Sequence, residues 1–154
     1  MDWAEKEVAS LELSKKLKEL GFPQKEPGWF WCLRKDSEFY DLFFTMDKMY
    51  FYKPKQYEEF FIFEYHHLQD YIKAYTNSEL GELLPIIEDY SLSIYKTLNG
   101  WAIEYEKYQQ YVKIKCDNET EANTRAKMLI FLRENGYITF NQGDKNNAQS
   151  RQQT

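Results

Sequence analysis

Cysteine is scarce in this chain: 154 residues contain only Cys32 and Cys116. Two cysteines so far apart fit neither a disulfide framework nor the paired spacing of a zinc site, and both read as reduced thiols in a reducing compartment. Glycine, at six residues, is too sparse for a glycine-rich phosphate cradle, and no Walker loop, GxGxxG or GxSxG elbow occurs. A basic excess is missing too. The net charge is −5 at pH 7, whereas a partner held through phosphates needs a basic face, so bulk nucleic acid is not expected as a partner. No apolar run approaches the roughly 20 residues of a membrane span. The opening Met1-Asp2-Trp3-Ala4-Glu5-Lys6 is charged and lacks the apolar core of a signal peptide. A cytoplasmic location with no membrane contact is the expectation.

Aromatic residues, by contrast, are abundant, at 18% with Tyr 13 and Phe 11. Such side chains serve cores, interfaces and stacking sites alike, so composition does not choose among these. The length suits one domain with a core of its own, needing no disulfide or metal staple.

Helix signals bracket the chain. Ser10 is a suitable N-cap for Leu11–Leu20, with Leu13, Leu17 and Leu20 at helical spacing and Gly21 as the stop. Thr76-Asn77-Ser78-Glu79 matches a capping box ahead of Leu80, Leu83 and Leu84, and Pro85 closes that helix. Asp117-Asn118-Glu119-Thr120 opens a third helix, with Ala122, Ala126, Leu129 and Ile130 as its stripe and Gly136 as its end. Strands are expected over Gly28–Arg34, Glu38–Met46, Met49–Tyr52 and Phe60–Glu64. The helical spacing of Leu68, Tyr71, Ile72 and Tyr75 predicts a helical turn or two after these. Asn99-Gly100 reads as a type I′ hairpin turn pairing Leu98 with Trp101, Lys96 with Ile103 and Ile94 with Tyr105, which puts Trp101, Ile103 and Tyr105 against the closing helix. Tyr111–Cys116 adds a strand, with Val112, Ile114 and Cys116 inward. The sum is a single α+β domain over residues 10–140, with an antiparallel sheet of about five or six strands and helices packed on one face. Residues 1–9 form an N-terminal extension, and 141–154 a disordered polar tail.

Candidate chemistry is thin. His66-His67 is the sole histidine pair, but adjacent side chains point apart on either a strand or a helix, so no metal site is expected. Glu58-Glu59 reads as a solvated face, and no Ser-His-Asp order is present. Neither a catalytic centre nor a cofactor is expected. The unusual feature is an aromatic belt from Tyr50 to Tyr75, denser than one short strand and helix can bury. Tyr50, Tyr52 and Tyr57 bracket a proline turn beside Lys53 and Lys55, and these five residues are the candidate partner- or ligand-binding set.

Three segments carry a resemblance. Ser10-Leu11-Glu12-Leu13-Ser14-Lys15-Lys16-Leu17-Lys18-Glu19-Leu20-Gly21, Ser78-Glu79-Leu80-Gly81-Glu82-Leu83-Leu84-Pro85 and Thr120-Glu121-Ala122-Asn123-Thr124-Arg125-Ala126-Lys127-Met128-Leu129-Ile130 resemble the opening, middle and closing motifs of a family of small uncharacterised phage and prophage proteins of gut bacteria. The chain departs from that pattern at Ala9, where the family carries Thr. The resemblance implies a phage accessory protein in the host cytoplasm, without assigned chemistry. Two partners are then weighed: a host protein, such as a defence or anti-CRISPR-type target, bound through the aromatic surface, or a small nucleotide signal that the protein sequesters as a sponge. A homo-oligomer is compatible with either, and an enzyme is the third alternative.

Overall fold

The computed structural model describes residues 3–25, 27–34, 38–47, 50–52, 62–64, 68–107, 110–117 and 120–140. In chain order the elements are α1 (Trp3–Glu7), α2 (Leu11–Glu19), β1 (Gly28–Arg34), β2 (Tyr40–Asp47), β3 (Tyr50–Tyr52), β4 (Ile62–Glu64), β5 (Leu68–Lys73), α3 (Asn77–Leu83), β6 (Ser91–Thr97), β7 (Gly100–Lys107), β8 (Gln110–Asp117) and α4 (Glu121–Glu134). The α+β class expected from the sequence is present, with antiparallel pairing throughout. Among the described residues the strands form more than one sheet. They divide into a five-stranded sheet, ordered β4-β3-β2-β1-β5, and a three-stranded meander, β6-β7-β8.

The helix boundaries follow from local chemistry. Ser10 caps α2 by accepting from the Leu13 N–H, and Thr120 caps α4 by accepting from the Asn123 N–H. Both helices end in the same way: Gly21 and Gly136 adopt φ of +87° and +80°, conformations that cost glycine little. The N–H groups of Phe22 and Gly21 then return to Leu17 and Lys18, and those of Tyr137 and Gly136 to Leu132 and Arg133. The Thr76–Glu79 capping box is formed in both directions at the start of α3. The cap of α2 is Ser10 and not the preceding alanine. Ala9 is fully buried, and its carbonyl accepts from Ser14 Oγ and Trp31 Nε1.

Residues 3–9 are part of the packed body. Val8 bridges Thr76, the Ala9 N–H donates to the Tyr75 carbonyl at 2.9 Å, and Ala4 and Val8 pack with Leu42, Ala74, Trp29 and Trp31. The main core lies elsewhere, where Leu17 of α2, Leu80 of α3, Ile103 and Tyr105 of β7, and Ala122, Ala126, Met128, Leu129 and Leu132 of α4 meet. The small alanines let α4 approach the meander closely, as its sequence stripe suggested.

Two local expectations fail for identifiable reasons. Leu68–Lys73 is strand β5, not helix: it pairs with β1 at Phe30–Lys73, Trp31–Ile72 and Cys32–Tyr71. That pairing gives β1 a neighbour on each side and buries Ile72, a long-range gain that helical spacing alone cannot register. The β6–β7 hairpin exists, but its loop is Leu98-Asn99, flanked by the pair Thr97–Gly100. A type I′ turn needs positive φ at both loop residues, and Asp89 is the sole non-glycine with positive φ among the described residues. The register therefore differs from expectation by two: Lys96 faces Trp101, Ile94 faces Ile103 and Leu92 faces Tyr105. Two is an even number, so no side chain changes face. Ile103 and Tyr105 are buried, while Trp101 is only partly so. On β8, Val112, Ile114 and Cys116 stand opposite Tyr105, Ile103 and Trp101. The polar tail expected from residue 141 lies outside the described residues.

Candidate functional site

Helices α2 and α4 lie side by side and point the same way. The Ser10 N–H, at the start of α2, donates to Asn123 Oδ1 in the first turn of α4 at 2.8 Å. At the other end, Arg133 Nε donates to the Leu20 carbonyl at 3.2 Å, and its Nη1 to the Ile138 carbonyl at 2.8 Å. A cation at the C-terminal ends of two parallel helices offsets the repulsion of their aligned dipoles. Leu17 and Leu129 belong to the core beneath the pair.

Between the two helices runs an open groove of about 560 Å³, lined by Leu13, Ile130 and Phe131 and rimmed by Glu12, Lys15, Lys16, Glu19, Lys127 and Glu134. The three apolar side chains pack on the main core and remain partly exposed. Three lysines face three glutamates around the rim, and Lys16 reaches Glu134 at 3.2 Å. The charges cancel, so the groove offers no net field to an anion. What it offers is apolar area framed by polar groups of both signs. Sequence periodicity found Leu13 and Ile130 as stripe residues. It missed Phe131 and Lys127, and nothing in the sequence says that α2 and α4 are neighbours.

The aromatic residues singled out from the sequence fall differently. Tyr50 and Tyr52 are on β3, an internal strand between β2 and β4, with Tyr52 opposite Phe44 and Ile62. Lys53, Lys55 and Tyr57 lie outside the described residues, as do His66 and His67. Of the rest of the belt, Tyr71 packs beside Phe30 with ring centroids 5.9 Å apart, and Tyr75 is buried in the main core with its hydroxyl donating to the Pro23 carbonyl. Burial, and then the nearby Glu79 carboxylate, push the Tyr75 phenol well above its ordinary range, so it stays a donor.

A second polar constellation went unseen in the sequence. Lys73 is 2% exposed, yet carries a charge. Its Nζ lies 2.6 Å from Glu79 Oε1 and 3.1 Å from the Pro27 carbonyl, above the Phe30 ring at 5.2 Å. The other oxygen of Glu79 accepts from the Thr76 N–H and hydroxyl at 2.9 and 3.0 Å. One carboxylate thus closes the capping box of α3 and neutralises the buried lysine. These partners bind strand β5 to the start of β1 and to α3, a structural role. Among the described residues, no group of three or more His, Cys, Asp or Glu is placed to hold a metal ion, and no helix is long and apolar enough to cross a membrane.

The three segments Ser10–Gly21, Ser78–Pro85 and Thr120–Ile130, remote in sequence, converge in space: they supply α2, most of α3 and most of α4, which share the main core. No family model, curated protein or solved structure matches the chain.

Proposed function

We propose that this protein is a non-enzymatic phage accessory protein that binds a host protein, such as a defence factor, in the host cytoplasm. The observation that carries the reading is the groove between α2 and α4, with its floor of Leu13, Ile130 and Phe131 and its charge-balanced rim. A sponge for a small nucleotide needs converging cations for phosphate, and the equal numbers of lysine and glutamate here favour a peptide or helix of a protein partner instead. Most of the groove lining, though not Phe131 or Glu134, also comes from the first and last of the three segments that resemble the phage family, which ties the resemblance to a surface.

The test is binding of purified host proteins, first captured on the immobilised wild-type chain, to wild type and to Ile130→Ala/Phe131→Ala. Loss of about 2 kcal/mol or more in affinity, with the folded circular dichroism signal kept, is the result expected of a hot spot. Tyr50→Ala/Tyr52→Ala in the same assay reports on the aromatic surface and its neighbours Lys53, Lys55 and Tyr57. Binding that survives the groove substitutions and fails with the tyrosine pair would move the interface to β3. A nucleotide retained by the purified protein, with no protein captured, would replace this reading by the sponge.

A further inference from the structure

Strand β6 is an outer strand of its sheet, and among the described residues nothing pairs with its free side. The pair flanking a two-residue hairpin loop is necessarily hydrogen-bonded, so Thr97, Tyr95, Ser93 and Ser91 aim their backbone groups at β7. The N–H and C=O groups of Leu92, Ile94 and Lys96 therefore point outward. The edge strand β5 shows what protection looks like: Lys18 Nζ donates to the Tyr71 carbonyl and Gln24 Oε1 accepts from the Lys73 N–H. Among the described residues no such side-chain cover is found on strand β6, which has no proline or bulge and only one charge, Lys96, in its seven residues. Three of the six large hydrophobic side chains exposed among the described residues lie on it or on its loop: Leu92 at 41%, Tyr95 at 39% and Leu98 at 103%.

We infer that β6 pairs with β6 of a second copy of this chain, antiparallel about a two-fold axis at Ile94, to form a continuous six-stranded sheet. This register overlaps the whole strand. Ile94 faces Ile94 of the second copy and exchanges both backbone bonds with it, Leu92 and Lys96 face each other twice, and about six outward hydrogen bonds form. Ser93 meets Tyr95, and Ser91 meets Thr97, so no like charges stand opposite. Moving the axis to Lys96 would set two lysines against each other, and moving it to either neighbour of Ile94 shortens the overlap. The long Lys96 stem lies along Leu92 of the other copy while its ammonium stays in water. Leu98, wholly exposed in one chain, comes level with Tyr90 of the other. An isologous contact of this kind closes on itself and does not propagate.

The test is the solution mass of the full chain by light scattering, with site-specific oxidative cross-linking in a Cys116→Ser background. A mass of twice 18.7 kDa, a covalent dimer with Ile94→Cys and none with Ser91→Cys are the expected results. Ile94→Lys, which opposes two cations at the axis, should weaken the dimer at least tenfold, and Ile94→Pro should do the same by removing an outward donor. Both should keep the circular dichroism spectrum of the wild type. A chain that stays at 18.7 kDa up to high concentration overturns the inference. So does a dimer that Ser91→Cys cross-links as readily as Ile94→Cys. Both outcomes are independent of whether the α2–α4 groove binds a host protein.

Discussion

Single residues carry unusual weight where Lys73 is buried. A lysine in a core is tolerated only if its charge is met, and Glu79 Oε1 and the Pro27 carbonyl meet it. Removing the carboxylate leaves the buried ammonium stranded, so Glu79→Ala should cost about 3–5 kcal/mol in urea denaturation. Lys73→Met combined with Glu79→Gln should cost much less, because it removes both charges and keeps the volume. Gly28 belongs to the same constellation: a Cβ there would run into Lys73 Nζ, so Gly28→Ala should destabilise as well. Asp70 offers a pH signature. Partial burial raises its carboxyl, but hydrogen bonds from Lys18 and Tyr40 and the Lys18 charge outweigh this, and the net direction is down. A carboxyl depressed on folding contributes stability above its unfolded pKa and loses it as pH falls through the folded one. The contribution is therefore present at neutral pH and disappears below about pH 4. Both partners are substantially exposed, so it is worth under about 1 kcal/mol. Asp70→Asn should flatten that part of the Tm-against-pH curve.

At the scale of elements, what is local was legible and what is remote was not. Ser10, Thr76 and Thr120 announce their helices because a cap is written within four residues, and Gly21 and Gly136 announce the ends for the same reason. The larger failure depends on a partner far along the chain. Leu68–Lys73 has helical spacing yet is drawn into the sheet by β1, and no reading of residues 68–75 alone could weigh that pairing. The hairpin was half legible: parity put Ile103 and Tyr105 inward, but the loop lies one residue earlier than Asn99-Gly100 suggests. Tyr105 donates to the Pro85 carbonyl at 2.7 Å, and burial pushes its phenol up to about 12. The inward row of β7 should therefore grade energetically along its length. Ile103→Ala should cost about 2–5 kcal/mol as a core truncation, and Trp101→Ala distinctly less, since Trp101 is only partly buried. Equal losses in thermal or chemical denaturation would show that α4 covers more of the meander than these exposures indicate.

For the whole molecule, the division into two sheets was the least legible property. Alternating segments say that strands exist and which face is apolar, but not which strands share an edge. The candidate groove was hidden for the same reason: Leu13 and Ile130 each sit on a recognisable stripe, while the groove arises only when α2 and α4 meet. The surface nominated from composition, Tyr50 and Tyr52 with Lys53, Lys55 and Tyr57, rested on an excess of aromatics over available core. Part of that excess is accounted for: Tyr71 packs against the sheet residue Phe30 and Tyr75 joins the main core, whose reach the sequence understated.

The parallel pairing of α2 with α4 also sets a timetable for synthesis. Ser10 and Asn123, like Leu20 and Arg133, are 113 residues apart. At about 5–20 residues per second, α2 leaves the ribosome roughly 6–23 s before the helix that completes its burial. During that interval Leu13, Leu17 and Leu20 have no α4 to pack on, so the nascent chain displays a short amphipathic helix to its surroundings. Ribosome-bound chains halted before Thr120 should accordingly be cut readily within residues 10–20 by added protease. Chains released after Phe140 should resist the same treatment.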